Sequence, residues 1–568
     1  MRYLLVLSVA ALLTACDQNQ PVQSTTQLAP EALTKQSELF RKGVEQVTDG
    51  VYVAIGYGLA NSIMLEGDDG IIIVDTMETE EEGRAVLAEF RKITDKPIKA
   101  IIYTHNHTDH VFGASAFAET PGIPVYAHDS TEYYINRVVN QIRPIITARS
   151  MRMFGHHLPE GELINDGIGP KLGVTPESSL YALTPTNTFA DQLSLDIAGI
   201  KLELVHAPGE TEDQIFVWLP EKQTVLTGDN VYQAFPNLYT IRGTYYRDVK
   251  QWANTLDRVR ALGAEHLVPS HTRPVHGKEQ IAALLTDYSD AINFVHDQTL
   301  RYMNKGLTPD QIVEAVKLPP HLASNPWLQE FYGKVSWSTR SVFDGYLGWF
   351  SGNPSDLQPA PEQQQANDMA ALAGGSDALL AKAKDALEQG NAQWALELSD
   401  HLQLLLPDND EVKTLRAGAL RTLGAAEANP NARNYYFTVA REVQDGLKPG
   451  FRPRMNMDFL ASLPVENFLG AMPALLKAED TLDVETALGF DFRDSGKQFT
   501  LRIRRGVAKV SEGLDSDVVA TLQTTEGTWK AIAAGIQNPA AALAGEGLDI
   551  DGSTLSALKI LGYFEKID

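Results

Sequence analysis

Apolar and polar residues alternate along the first half of the chain in a way that predicts mixed sheets and helices. Residues 50–74 alternate around a polar turn at 68–70, which is typical of a hairpin. Residues 79–93 have helical spacing, with acids at the start and bases near the end, as the helix dipole favours. Strands and helices then follow one another, and a helix over 281–302 closes the region. This order predicts an α/β domain over residues 41–300, a sandwich of two mixed sheets flanked by helices with a site on loops at one edge.

The pattern becomes almost wholly helical over residues 301–447. Apolar residues recur at spacings of three and four in 379–405 and in 410–423, which predicts helices that pack on one another. Residues 352–375 are rich in Pro, Gln, Ala and Gly and predict a surface linker within this all-α domain.

The C-terminal residues 448–568 mix short strands and helices and predict a small α+β domain. Apolar side chains alternate strictly over 499–504 and more loosely over 518–522. Such faces can line an apolar tunnel or make an ordinary sheet core, and both interpretations stay open. The residues concerned are Phe499, Leu501, Ile503, Val518, Ala520 and Leu522.

The N-terminus predicts export. Residues 1–15 have a short basic start and an apolar stretch too short to span a bilayer, which is typical of a signal peptide. The stretch ends at Cys16 in a segment that is similar to a bacterial lipobox, which implies that Cys16 carries a lipid. Polar residues then predict a flexible tether over 16–40. We expect a lipoprotein of the bacterial cell envelope, anchored to a membrane and facing the periplasm.

Composition narrows the possible partners. The formal net charge is −25, from 48 basic and 73 acidic residues, which argues against binding nucleic acid. A small anionic ester is compatible with this charge, because a local arginine and bound metals can override a diffuse negative field. The only cysteine is Cys16, so the folded part has no disulfide and no thiolate metal ligand.

The strongest chemical signal follows a predicted strand that ends near Tyr103. His105, His107, Asp109 and His110 lie within six residues, although the whole chain of 568 residues has only 13 histidines. Imidazole nitrogen and carboxylate oxygen are ligands that zinc accepts. Because side chains alternate in an extended segment, the first two histidines can hold one metal, and the following pair can hold a second. The segment therefore predicts a two-metal site.

This His-x-His-x-Asp-His loop resembles the opening of the metallo-β-lactamase superfamily site. Later segments around Glu210, Asp229 and His271 resemble its remaining ligand segments, except that Glu210 stands where the superfamily usually has His. Glutamate at that position is known in the alkylsulfatases of this superfamily. Residues 237–243, 152–161 and 348–354 also resemble segments of that group.

The resemblance implies a site and an activity. His105, His107 and Glu210 would hold one Zn²⁺, and Asp109, His110 and His271 the other, with Asp229 bridging both. A metal-bound hydroxide would cleave an alkyl sulfate ester to alcohol and inorganic sulfate. Asp109, Asp229 and Arg242 would be catalytic residues, and the substrate would be a small amphiphilic sulfate ester. The anion would be bound by Arg242, whose planar fork matches two sulfate oxygens, with help from Asn237, Tyr239 and Thr240.

The resemblance also covers the rest of the chain and leaves alternatives. It implies a homodimer formed through the helical domain and a C-terminal domain similar to sterol carriers. Asp75 resembles a carboxylate that orients a ligand histidine. Asp229 departs from the group, which usually has Glu there, and Gln233 and Pro236 stand where the group has histidines. The alternatives are another hydrolase of the fold, acting on lactones, thioesters or β-lactams, or a lipid-binding envelope protein with a vestigial metal site.

Overall fold

The computed structural model describes residues 28–565, except 160, 449, 451–453, 456–459, 462 and 546. The predicted signal peptide and the predicted lipidation at Cys16 lie outside the described residues. Within the described part, no helix has the length and apolar character needed to cross a membrane.

Two mixed sheets form the first domain, as the alternating pattern predicts. In the first sheet the first four strands pair antiparallel and the last four run parallel to one another. In the second sheet Thr224–Leu226 and His266–Val268 pair in parallel, and the other neighbouring strands are antiparallel. The first sheet contains, in spatial order, Gly43–Thr48, Val51–Ile55, Ser62–Glu66, Ile71–Val74, Ile98–Ile102, Val125–His128 and Asn187–Phe189. The second contains Val275–His276, His266–Val268, Thr224–Leu226, Ile215–Leu219, Ile200–His206 and Gln192–Ile197.

The sheets pack face to face and helices cover their outer faces. Val53, Ile72 and Ile102 of the first sheet meet Leu204 and Val217 of the second in a buried apolar layer. The outer faces are covered mainly by the helices Glu80–Phe90, Val249–Ala261 and Lys278–Met303. Thr79 begins the first of these, since its side chain accepts a hydrogen bond from the amide of Glu82. The predicted four-layer sandwich is confirmed.

Other helices of the first domain connect the strands. Thr131–Asn140 and Arg143–Met153 follow the strand Val125–His128. The short helices are Thr108–Val111 and the 3-10 turns Ala114–Phe117, Pro220–Lys222 and Gly228–Asn230. A two-stranded parallel pair joins Ser179–Leu180 to Arg454–Met455 and so ties the C-terminal region to the first domain.

The second region is helical, as predicted. Its longer helices stack on one another through apolar faces that include Leu398, Leu402 and Leu415. Its elements are Pro309–Ala315, Pro320–Ala323, Val335–Leu347, Pro354–Leu357, Glu362–Ala373, Ser376–Glu388, Ala392–Leu405, Asp410–Ala426 and Pro430–Asp445.

A five-stranded sheet with helices on one face forms the C-terminal domain. The strands lie in the order Val507–Glu512, Gln498–Arg504, Glu485–Phe492, Ala520–Thr524 and Leu548–Gly552. The helices and 3-10 turns are Val465–Ala471, Met472–Leu475, Ala478–Asp480, Glu526–Ala533, Pro539–Ala544 and Thr554–Leu561. Phe499, Leu501 and Ile503 pack with Phe490 and Trp529 in one buried cluster. These side chains are buried together, which favours the second of the two interpretations.

Two predictions of irregular structure were wrong. The described part of the predicted tether contains the helix Leu28–Gln36 and the turn Ser37–Phe40, and Leu33 is fully buried. The predicted linker contains the helix Glu362–Ala373, whose Ala366 and Ala370 face inward. In both segments a few apolar residues at helical spacing find a partner surface, which composition alone does not reveal.

Candidate metal centre

The predicted ligands lie on loops that leave the ends of neighbouring strands. His105 follows the strand Ile98–Ile102, and His107 precedes the short helix Thr108–Val111. Asp229 follows the strand Thr224–Leu226, and His271 follows His266–Val268. These two strands are parallel, so both loops begin at the same edge of the sheet. The fold therefore gathers these distant segments at one end of the sandwich.

A glycine makes the turn before Asp229 possible. Gly228 has φ +55°, a conformation that glycine adopts without penalty. A Cβ at this position would also lie 1.9 Å from Nε2 of Gln214. Gly228 therefore lets the chain turn within a closely packed site and present Asp229.

Two groups of potential ligands converge at this edge. In the first, Nε2 of His105 lies 2.9 Å from Nδ1 of His107 and 3.6 Å from Oδ2 of Asp229. In the second, Oδ2 of Asp109 lies 3.4 Å from Nε2 of His110 and 3.5 Å from Nε2 of His271. Within each group the ligand atoms all lie within 4.8 Å of one another.

Asp229 connects the two groups. Its Oδ2 lies 3.1 Å from Nε2 of His271 and 3.4 Å from Nε2 of His110, in addition to its contact with the first group. Its Oδ1 is buried and has no hydrogen-bond partner within the described residues. This position suits a carboxylate shared by two ions.

Hydrogen bonds at the far side of three imidazoles determine which ring nitrogen carries the proton when the ring is neutral. Nδ1 of His110 donates to Oδ2 of Asp75 at 2.7 Å, and Nδ1 of His271 donates to the carbonyl of Leu59 at 2.9 Å. The hydroxyl of Thr104 donates to Asp75, so it must accept from Nδ1 of His105 at 3.0 Å. In the neutral rings each inward Nε2 therefore presents a lone pair, as a metal ligand must.

These residues fit divalent zinc. Tetrahedral zinc with bonds of about 2.0–2.1 Å places two ligand atoms about 3.3 Å apart, close to the separations between the inward atoms here. The Nε2 of His110 is buried without a hydrogen-bond partner in the described part of the chain, which an ion would satisfy. The donor set contains imidazole and carboxylate only, which suits a borderline divalent ion.

Asp75 accepts hydrogen bonds through its carboxylate from residues in and beside the two ligand groups. Its backbone has φ +60°, which is uncommon for a residue other than glycine. Its Oδ2 accepts from His110, from the Thr104 hydroxyl at 2.9 Å and from the Ser270 hydroxyl at 2.8 Å. Its Oδ1 accepts from the Thr104 amide at 2.8 Å. Asp75 thus contacts His110, one of the predicted ligands, and its role in orienting a metal ligand stays a prediction.

Glu210, a predicted ligand, lies outside both ligand groups, and its ion-pair partner is an arginine. Oε1 of Glu210 is 2.9 Å from Nη1 of Arg247, and both side chains are 2% exposed. Oε2 of Glu210 is buried and has no hydrogen-bond partner in the part of the chain described. Asn230 fixes the Glu210 loop, since its Oδ1 accepts from the Glu210 amide at 3.1 Å and its Nδ2 donates to the carbonyl of Ala207. The metal-ligand role of Glu210 stays a prediction.

The predicted anion-binding residues occupy different environments. Nη2 of Arg242 is 3.0 Å from Nε2 of His107, so Arg242 borders the first ligand group. The side-chain amide of Asn237 is fully buried without a hydrogen-bond partner among the described residues. Thr240 is buried and its hydroxyl points to the sulfur of Met153 at 3.4 Å, while Tyr239 is half-buried. Of these residues Arg242 is the one in contact with a predicted metal ligand, and the substrate-binding roles of Asn237, Tyr239 and Thr240 stay predictions.

The electrostatics reflect three carboxylates among several imidazoles. Burial opposes charge on His110, yet Asp229, Asp109 and Asp75 raise the pKa of His110 well above its usual value. Burial also opposes charge on Asp229, but the imidazoles of His271, His110 and His105 hold the pKa of Asp229 well below its ordinary range. Burial raises the pKa of Glu210 to about 7, although Arg247 acts in the opposite direction. The carboxylates thus favour a positive charge on His110, whereas burial lowers the pKa values of His105 and His107 well below their usual range.

Several functional neighbours were not predicted from the sequence. Arg247 and Ser270 reach the centre through contacts between residues far apart in the chain, and only Thr104, next to His105, had a local signal. His206 lies outside both ligand groups, and its ring stacks on that of His128 with centroids 3.9 Å apart.

Three family models match successive parts of the chain. Residues 55–271 match the model of the metallo-β-lactamase superfamily. Residues 308–446 match the alkyl sulfatase dimerisation model, and residues 453–568 match the alkyl sulfatase C-terminal model.

Individual relatives match over most of their length. A linear primary-alkylsulfatase of Pseudomonas sp. is 39% identical over 524 residues, which cover 88% of this chain and 98% of the relative. An (R)-specific secondary-alkylsulfatase of Pseudomonas sp is 29% identical, covering 87% of this chain and 76% of the relative. The solved structure of a stereoselective inverting sec-alkylsulfatase from Pseudomonas sp. superposes with a TM-score of 0.88 at 26% identity, covering 94% of this chain and 87% of that one.

Proposed function

The chain belongs to the alkylsulfatase family of the metallo-β-lactamase superfamily, and on that premise we propose that it hydrolyses alkyl sulfate esters to an alcohol and inorganic sulfate. The observation that carries the proposal is the convergence of two ligand groups around Asp229, with Arg242 beside the first. A sulfate monoester needs both an electrophilic centre for its oxygens and a cation for its charge, and this edge of the sandwich offers both.

We propose two Zn²⁺ ions as cofactors. His105, His107 and Glu210 would hold one, Asp109, His110 and His271 the other, and Asp229 would bridge them. When bound, the two ions supply Lewis acidity and activate water near neutral pH. The hydrogen bonds at Nδ1 of His105, His110 and His271 support this role, because in the neutral rings they place the proton on Nδ1 and leave Nε2 for a metal.

Arg242 would bind the sulfate group. His107 faces the first ligand group through Nδ1, so in the ligating tautomer its Nε2 carries the proton. A guanidinium has only donors and cannot donate to a protonated nitrogen. The N–H groups of Arg242 then become available to two sulfate oxygens, which the planar fork matches. The buried amide of Asn237 would add a further polar contact.

Linear primary alkyl sulfates are the substrates we propose. The primary-alkylsulfatase relative shares a larger fraction of identical residues than the secondary one and matches over nearly its whole length. Turnover should be measured on primary and secondary alkyl sulfates of several chain lengths, with a lactone, a β-lactam, a thioester and a phosphodiester as controls. Release of inorganic sulfate from the primary esters is expected, and faster turnover of any control would refute the proposal.

A homodimer formed through the helical domain is a further part of the proposal. The match to a dimerisation model over 308–446 supports it. Large apolar side chains are exposed there, including Trp349 at 72% and Leu372 at 86%. Such exposure is typical of surfaces that a partner covers. Light scattering should give twice the mass of one chain, and Trp349→Asp should shift the protein towards the monomer.

We also propose that the protein is a lipoprotein held at a membrane and facing the periplasm. The apolar stretch before Cys16 and the small residues at its end support this location. A single lipid chain binds membranes only marginally, so several acyl chains at Cys16 would be needed for stable anchoring.

A further inference from the structure

A buried arginine stands directly behind one of the proposed zinc ligands. Arg247 is 4% exposed, and its Nη1 lies 2.9 Å from Oε1 of Glu210 and also donates to the carbonyl of Asn237. Its Nε and Nη2 have no hydrogen-bond partner in the described part of the chain. A buried guanidinium is costly unless a carboxylate accompanies it, and among the described residues Glu210 is the acid in ion-pair contact with it.

Glu210 has a corresponding need for a cation. Its side chain is 2% exposed, so its charge is costly unless a cation accompanies it. The three ligand carboxylates Asp109, Glu210 and Asp229 carry one negative charge more than a site with histidine at position 210 would carry. Arg247 supplies one positive charge at the residue that makes the difference.

The two oxygens of the Glu210 carboxylate have different surroundings. Arg247 occupies Oε1 of Glu210, whereas Oε2 is buried and has no partner in the described residues. An ion pair with one oxygen fixes the rotation of the carboxylate and leaves the other oxygen for a metal.

We propose that Arg247 is a positioning residue that orients Glu210 and offsets its charge, so that a carboxylate can replace the superfamily's histidine without making the centre more negative. This inference rests on the proposed zinc-binding function of the centre. It concerns Arg247 and Glu210 as a coupled pair, so their substitutions should not act independently.

A double-mutant cycle on full-length protein tests the coupling. Arg247→Gln, Glu210→His and the double variant are loaded with zinc, and zinc affinity is measured by competition with a chelator, together with zinc content per chain. Arg247→Gln should weaken the first zinc at least about tenfold, the scale of losing a residue that orients a ligand. Glu210→His alone should also weaken it, because Arg247 is left buried without its acid. The double variant should bind zinc more tightly than either single variant, since both charges are removed together.

Matched controls separate this coupling from a general loss of structure. Arg433 is another largely buried arginine, which donates to the carbonyl of Gly424 in the helical domain, so Arg433→Gln should leave zinc affinity unchanged. Arg247→Lys keeps the charge and should retain more zinc affinity than Arg247→Gln. Thermal unfolding of the metal-free variants shows which of them fold.

The outcomes discriminate between the proposals. Wild-type affinity in a folded Arg247→Gln variant, or losses that simply multiply in the double variant, would overturn the role of Arg247 while leaving the zinc centre intact. A wild type that binds no zinc would overturn the proposed function and this inference together.

Discussion

Replacing Asp75 by asparagine tests how the fold prepares a zinc ligand. Asp75 does not face the ions itself, yet its Oδ2 accepts three hydrogen bonds from side chains, those of His110, Thr104 and Ser270. Asparagine has nearly the same shape but presents one oxygen and one NH₂ group. If the oxygen keeps the bond from the Thr104 amide, the NH₂ group faces three donors. The two hydroxyls can rotate and accept, but Nδ1–H of His110 cannot.

The expected loss follows from the tautomer of His110. To accept from asparagine, Nδ1 must lose its proton, which then occupies Nε2, the atom that faces Asp109 and Asp229. Substitution of a residue that orients a ligand typically lowers metal affinity about 10–100-fold. This corresponds to about 1.4–2.7 kcal/mol at the second zinc. Loss of a buried charge that accepts four hydrogen bonds should also lower the free energy of unfolding by about 3–5 kcal/mol.

The assay is chelator competition on Asp75→Asn, with Ser270→Ala as the matched control. Ser270→Ala removes one donor and leaves both the Asp75 charge and the His110 tautomer in place, so it should cost about 1 kcal/mol in stability. Its zinc affinity should stay within a few-fold of wild type. If Asp75→Asn folds and holds both zinc ions with wild-type affinity, the assigned tautomer and the reasoning from it are wrong.

Four further predictions address other parts of the molecule. His105→Ala should lose the first zinc and sulfate-ester hydrolysis while circular dichroism stays unchanged, because a loop ligand adds little to the core; retained activity at full zinc loading would contradict the assignment. Arg242→Lys should cost about 2–4 kcal/mol in kcat/KM for alkyl sulfates, since a point charge does not reproduce the fork, and unchanged kinetics would place the anion elsewhere. Cys16→Ser should move the protein from the membrane fraction to the soluble fraction, and a wild type that is already soluble after processing would exclude the anchor. Leu501→Ala should lower the free energy of unfolding by about 2–5 kcal/mol and raise KM equally for short and long esters, whereas a selective loss for long chains would favour an apolar tunnel over a filled core.

Local chemistry made part of the site readable from the sequence. Four proposed ligands lie within six residues, so their clustering is independent of how the chain folds. Alternation and helical spacing likewise identified the paired sheets and the helical domain, because the burial of one face imposes these periods on the sequence. The hairpin strands Ser62–Glu66 and Ile71–Val74 are one example, and the helix Glu80–Phe90 is another.

Only the tertiary structure decided which distant residues meet. Ser270 and Asp75 are 195 positions apart in the chain, and the pairing of Arg247 with Glu210 joins two loops through a buried ion pair. The same holds for Leu33, which is fully buried in a segment whose composition predicts a tether. Leu501 alternates as a tunnel wall and as a core strand would, and its burial among neighbouring strands and helices favours the core. The sequence by itself determined the types of ligand and the periods of the elements, because both depend on neighbouring residues. Packing between residues far apart in the chain decides which charges are neutralised and which apolar faces are covered. No local sequence pattern contains this information.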